Sequence, residues 1–139
     1  MEKNFLLSLL MFVCSFYSAY SSNSFFGMDS NTVALWRFNE GIGDSVYDIS
    51  VYNNVGNIVG ALWTDGLFGS ALSFNGVDNK VIVRSDISLM GYKQFSIEAL
   101  IRPTAFNDDY RCIMSKSPGD DCSNDAYSFE LHRGNHARV

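Results

Sequence analysis

The chain has 139 residues, 47% of them apolar, and its 15 acidic side chains outnumber 10 Lys and Arg to give a net charge of -5. This balance, with no run of Lys or Arg in the sequence, argues against partners bound through compensating positive charge, namely nucleic acids and anionic membranes. Acidic loops are instead compatible with a bound cation.

The first 21 residues have the pattern of a secretory signal peptide. Lys3 precedes a largely apolar stretch from Phe5 to Val13, which gives way to small and polar residues by Ser21. The apolar stretch is shorter than the roughly 20 residues that a membrane-spanning helix needs. We therefore expect a signal-peptide helix over residues 1–21, cleaved after Ser21, and a secreted mature protein. The alternative is a retained membrane anchor.

After a linker over residues 22–30, residues 31–139 alternate short apolar runs with turns rich in Gly and Asn. Apolar side chains at every second residue are typical of half-buried β-strands. The residues expected to point inward are, in chain order, Ala34, Trp36 and Phe38; Leu72 and Phe74; Val81 and Val83; Phe95, Ile97, Ala99 and Ile101; and Tyr127, Phe129 and Leu131. Many short strands joined by Gly-rich turns predict an all-β sandwich or barrel.

The last residues predict an incomplete final strand. Gly134 and Asn135 are suited to a hairpin turn, but the chain ends shortly afterwards at Val139. Because a sandwich must cover both inner faces, we expect a domain truncated at its C-terminus. The alternative is a complete small domain that ends at Val139.

Two cysteines follow the predicted leader, Cys112 and Cys122, and turn-forming Pro118 and Gly119 lie between them. In an exported chain this arrangement predicts a disulfide that closes a hairpin loop. Two unbonded thiols are the alternative. The spacing is not that of a zinc site, and we expect the two histidines to be solvent-facing strand and turn residues, His132 and His136.

Three motifs follow one another in a fixed order: "LWRFNEGIG" from Leu35, "DISVYNNVG" from Asp48 and "GSALSFNGVD" from Gly69. They resemble the motifs of laminin G-like domains, members of the concanavalin A-like jelly rolls. The most specific match is the last motif, through Gly69, Ala71, Leu72, Phe74, Gly76 and Asp78. Val51 is a departure, because a glycine is common at that position. "FSIEALIRP" and "IMSKSPG" are similar to the family's later strands.

The resemblance implies an antiparallel two-sheet jelly-roll sandwich that works as a glycan-binding (lectin-like) or adhesion module. It also implies a structural calcium ion near the second motif. Ca²⁺ takes oxygen ligands from carboxylates, amides and backbone carbonyls. The candidate ligands are Asp48, Ser50, Asn53 and Asn54. The alternative is an Asx-type turn in which Asp48 binds backbone amides of its own loop.

The sequence gives little support to catalysis. Glycoside hydrolysis needs two carboxyl groups at a fixed separation, and neither Glu98 nor Glu130 has a second acidic residue two positions away on its strand. We therefore expect a non-catalytic chain. A non-catalytic part of a secreted glycoside hydrolase is a less favoured alternative.

Two binding functions remain. In the first, aromatic rings stack on sugars while loop polar groups bind hydroxyls. The candidate ligand-binding residues are Tyr47, Tyr52, Trp63 and Tyr110. In the second, the chain is a structural or adhesion module that binds extracellular proteins. Each aromatic residue has a simpler alternative role in the core, and Trp63 is expected to pack under its own loop.

Overall fold

The computed structural model describes residues 5–8, 27–90, 93–104, 110–116, 127–132 and 136–138. The chain forms two compact units, residues 1–104 and residues 105–139, so the predicted domain over residues 31–139 includes parts of both. The strands are β1 (Phe5–Ser8), β2 (Ser45–Val46), β3 (Gly56–Val59), β4 (Leu62–Gly66), β5 (Gly69–Phe74), β6 (Lys80–Val83), β7 (Leu100–Arg102), β8 (Tyr110–Lys116), β9 (Tyr127–His132) and β10 (His136–Arg138). A short 3-10 helix, η1 (Ile87–Leu89), follows β6.

The first unit contains two antiparallel sheets. One has the strand order β4-β5-β1-β7 and the other the order β2-β3-β6. The predicted all-β class is therefore confirmed for the described residues. The finer assignment, a two-sheet jelly-roll sandwich, stays a prediction.

The β4–β5 hairpin contains the most specific sequence motif. Gly66 pairs with Gly69, which leaves a two-residue loop of Leu67 and Phe68. Gly69 has φ +104°, and a Cβ atom there would lie 2.9 Å from Oδ1 of Asn39. The backbone conformation therefore favours glycine at this position, whereas the Asn39 side chain could move aside for a Cβ atom.

The core of the first unit is centred on the segment before β2 and on β5. Its most deeply buried large side chains are Leu35, Phe38, Val46 and Leu72. The predicted burial of Ala34, Trp36, Phe38, Leu72 and Phe74 is confirmed. Leu35 is equally buried, however, so residues 34–38 do not alternate. Their only described strand-type pairing is a bridge between Trp36 and Asp48.

The predicted strand from Phe95 to Ile101 is shorter than expected. Only Leu100–Arg102 forms a strand, and Phe95 is 39% exposed rather than inward-facing. The alternation of apolar and polar residues predicts one apolar face, but a strand also needs a partner for its backbone N–H and C=O groups. Here β7 pairs with β1 over only three residues.

The N-terminal segment also differs from the prediction where the structure describes it. Phe5–Ser8 is a strand between β5 and β7, not part of a signal-peptide helix. A short apolar run is compatible with either structure, and here pairing on both sides satisfies its backbone groups. The rest of the predicted leader lies outside the described residues. No described helix is long and apolar enough to span a bilayer.

The second unit is an antiparallel sheet with the order β10-β9-β8. A β-bulge interrupts the β8–β9 register between Cys112 and Met114, and Ile113 at the bulge is buried. All six residues of β9 are half-buried, so the expected difference in burial between Tyr127, Phe129 and Leu131 and their polar neighbours is not seen. The predicted return after Gly134 and Asn135 is present as β10, which pairs with β9.

Candidate functional site

The candidate site is the loop between β2 and β3, and its centre is the carboxylate of Asp48. This side chain is 4% exposed. Its Oδ1 accepts the backbone N–H groups of Leu35 and Ser50, both at 2.8 Å. Its Oδ2 accepts the Ser50 hydroxyl at 2.7 Å, the Asn54 backbone N–H at 2.9 Å and the Asn54 side-chain amide at 3.2 Å. Both oxygens are therefore fully engaged by protein donors.

Asn54 extends this network to two other parts of the chain. Its Nδ2 also donates to the Val33 carbonyl at 3.3 Å and to Ser88 Oγ at 3.2 Å. Its backbone carbonyl accepts the indole N–H of Trp36 at 2.7 Å. Asp48, Ser50, Asn54 and Ser88 are all buried. A buried polar network with this many partners holds the loop in one conformation.

Three of the four residues predicted as calcium ligands thus lie together: Asp48, Ser50 and Asn54. The fourth, Asn53, is exposed and has φ +53°, the left-handed conformation that Asn tolerates in turns. The three buried residues bond to one another and to backbone amides, as in the Asx-turn alternative. No cluster of three or more His, Cys, Asp or Glu side chains suited to a metal is found among the described residues. Calcium binding stays a prediction.

The side chains next to buried Asp48 and Ser50 point outward. Tyr47, Ile49, Val51 and Tyr52 are 55%, 40%, 88% and 50% exposed, whereas Asp48 and Ser50 are buried. We call residues Tyr47–Tyr52 the tyrosine loop. Two of the four predicted ligand-binding aromatics, Tyr47 and Tyr52, therefore lie on one short loop and face solvent.

The backbone of each tyrosine is fixed by a side-chain acceptor. The Tyr47 N–H donates to Oε1 of Glu40 at 2.8 Å, and the Tyr52 N–H donates to Oγ of Ser50 at 3.2 Å. The second carboxylate oxygen of Glu40, Oε2, is a buried atom with no hydrogen-bond partner among the residues that the structure describes. Sequence reasoning missed Glu40 as a residue that positions the loop. Its place in the "NEGIG" turn gives no signal of a contact seven residues away.

Trp63 does not join the tyrosine loop through any described contact. It lies in β4, is half-buried, and its indole N–H donates to the Gly43 carbonyl at 2.7 Å. Trp63 is expected to pack under its own loop, but this hydrogen bond joins it to the loop of residues 39–44 instead. The fourth candidate, Tyr110, lies at the start of β8 in the second unit, so its predicted role in ligand binding stays a prediction.

The second unit also contains Cys112 of the predicted disulfide and Glu130, an acidic residue without a partner for glycoside hydrolysis. Cys112 lies in β8, and Cys122 lies outside the described residues, so the disulfide stays a prediction. Glu130 and His132 are neighbours on β9, with 3.2 Å between Oε2 and Nε2. The His132 side chain is only partly exposed, at 29%, and His136 lies at the start of β10. The prediction of a non-catalytic chain stays untested.

The tyrosine loop is therefore the best-defined candidate site, with outward apolar and aromatic side chains on a backbone held by buried polar groups. No family model, curated protein or solved structure matches this chain.

Proposed function

We propose that this chain is an exported, non-catalytic binding module of the laminin G-like jelly-roll type, and that its tyrosine loop recognises carbohydrate. The observation that supports this proposal most is the display of Tyr47 and Tyr52 at 55% and 50% exposure on a loop anchored by buried Asp48.

Rigid display matters because binding has an entropic cost. A loop already held in its bound conformation loses less freedom on binding, so more of the contact energy appears as affinity. Tyrosine is well suited to such a surface, since its ring offers a large contact area with few rotatable bonds and its hydroxyl forms hydrogen bonds. Its flat apolar face complements the C–H face of a sugar ring.

The surroundings of the tyrosines supply polar groups as well. Exposed Asn53 follows Tyr52 directly, and its side chain offers both donors and an acceptor for sugar hydroxyls. Aromatic side chains with a few polar groups beside them are common among the residues that line small-molecule sites.

A second candidate function is adhesion to an extracellular protein. It is favoured by Ile49 and Val51, which are exposed between the tyrosines and add aliphatic surface that a sugar does not need. Aromatic residues surrounded by apolar contacts are typical of the centre of a protein interface.

Glycan-array binding separates these functions. The full chain is compared with Tyr47→Ala, Tyr52→Ala and the control Val77→Ala, which removes an exposed side chain from another loop. We expect the tyrosine variants to lose at least about tenfold in affinity for the bound glycan, as loss of an aromatic contact implies, and the control to retain it. No glycan binding, with protein adhesion that free sugar does not inhibit, would contradict the carbohydrate assignment.

The calcium proposal is tested in the same assay with EDTA. If Ca²⁺ assists binding, chelation weakens it and added Ca²⁺ restores it. Because the donors around Asp48 already occupy its oxygens, a calcium ion bound there would have to displace some of them. Glycan binding that EDTA leaves unchanged would remove calcium from the proposal and leave the tyrosine loop in place.

A further inference from the structure

The four-stranded sheet of the first unit depends on a strand from the predicted leader. Its order is β4-β5-β1-β7, so β1 (Phe5–Ser8) lies between β5 and β7. The described pairing of β7 is with β1 alone. β1 is thus the link that joins Leu100–Arg102 to the rest of this sheet.

The register fixes both sides of this central position. Leu6 lies opposite Ser73 of β5 and opposite Arg102 of β7, and both pairings are antiparallel. Removing β1 would leave facing backbone N–H and C=O groups of β5 and β7 without these partners. Such open edges favour pairing with another extended chain.

We infer that the gap between β5 and β7 is an acceptor slot for an extended apolar peptide segment of a partner polypeptide, and that Phe5–Ser8 fills this slot until the leader is removed. This inference rests on the export included in the proposed function. The chemistry of the occupant is read from β1 itself, whose sequence FLLS has three apolar residues in four. Addition of a strand to a sheet supplies main-chain hydrogen bonds, while alternate side chains give specificity.

The slot adjoins the best-packed strand of the unit. Ala71 and Leu72 of β5 are both 0% exposed, and Leu72 is the residue opposite Leu7. A bound segment would therefore pack beside buried residues of β5 rather than on an exposed surface. This position favours an apolar segment over a polar one, because burial without pairing is costly for polar groups.

A nicked full-length chain tests the slot directly. A protease site is inserted between Ser22 and Asn23, the folded chain is cleaved, the released N-terminal segment is separated from the rest, and a fluorescent peptide of residues 2–9 is added. We expect the peptide to bind the nicked chain at least about tenfold more tightly than the uncut chain, and a peptide with Leu6→Pro and Leu7→Pro to bind at least about tenfold more weakly, since proline lacks the N–H that the sheet needs. Equal binding to cut and uncut chains, or no binding, would overturn the inference.

A cross-link in the uncut chain covers the case in which the nicked chain unfolds. Leu6→Cys combined with Ser73→Cys should form a disulfide, because the two positions are opposite each other. Leu6→Cys with Ser45→Cys should not, because Ser45 belongs to the other sheet. Absence of the first cross-link would overturn the inference, and a cross-link between two copies would assign the slot to a second copy instead of a partner. N-terminal sequencing of the exported protein tests export separately.

Discussion

Asp48 holds the backbone of Leu35, thirteen residues earlier in the chain, through a buried 2.8 Å hydrogen bond from the Leu35 N–H to Oδ1. The same carboxylate holds the turn that follows it, through Ser50 and Asn54. One side chain therefore ties the segment at the core to the loop that displays Tyr47 and Tyr52. The stability of the core and the shape of the candidate site are coupled through this residue.

Asp48→Asn should destabilise the protein strongly. The amide that replaces one carboxylate oxygen is itself a donor and would face donors from Ser50 and Asn54. We expect the free energy of unfolding to fall by about 3 kcal/mol, as is usual when buried partners of a charged group are lost. Urea denaturation measures this change. Asp65→Asn is the matched control, because Asp65 is exposed on β4, and it should change stability by no more than about 0.5 kcal/mol. Equal effects of the two substitutions would contradict the role of Asp48.

The two tryptophans should respond differently to removal of the indole N–H. Trp36→Phe removes a buried hydrogen bond to the Asn54 carbonyl and leaves a small cavity. We expect it to cost about 2 kcal/mol. Trp63→Phe removes an exposed bond to the Gly43 carbonyl and should cost less than about 1 kcal/mol. Thermal unfolding of both variants shows which substitution lowers stability more. A larger loss of stability for Trp63→Phe than for Trp36→Phe would refute the prediction.

Gly56 should not tolerate a side chain. A Cβ atom at this position would lie 2.6 Å from Cγ1 of Val81 and 2.7 Å from Cγ2 of Val46. Gly56→Ala should therefore destabilise by about 1–3 kcal/mol through overpacking. Gly27→Ala is the control, because a Cβ there meets no atom within 4 Å. Denaturant midpoints compare the two variants, and an unchanged midpoint for Gly56→Ala would argue against the close packing of β2, β3 and β6.

The predicted disulfide can be tested by peptide mapping without reductant. We expect one peptide pair linked through Cys112 and Cys122 in the exported protein. Reduction should lower stability by about 2–3 kcal/mol, the range typical of a bond that closes a short loop. Recovery of both cysteines as free thiols from the exported protein would disprove the bond.

The sequence predicted the parts of the fold that depend on local pattern. Leu72 and Phe74 alternate on one strand and are buried as expected. Tyr47 and Tyr52 lie in a turn-rich segment and are exposed, as the predicted stacking role requires, whereas that role itself stays a prediction. These features are encoded within a few neighbouring residues.

The features that sequence reasoning missed depend on contacts between distant residues. Ser88 is 34 residues from its partner Asn54, and its sequence context is that of an ordinary turn. Phe95 belongs to a regular alternating pattern, yet it is exposed because strand pairing begins only at Leu100. Similarly, the apolar run at Phe5–Ser8 reads as a leader, and its pairing with β5 and β7 cannot be read from composition.

An NMR titration locates the ligand surface residue by residue and so checks the claim that the tyrosine loop is that surface. The glycan that binds most tightly on the array is titrated into the ¹⁵N-labelled full chain while backbone amide shifts are followed. We expect the largest shifts within Tyr47–Tyr52 and at Asn53, with little change at the β4–β5 hairpin tip of Leu67 and Phe68. Largest shifts at that hairpin tip, with the Tyr47–Tyr52 amides unchanged at saturation, would contradict the claim.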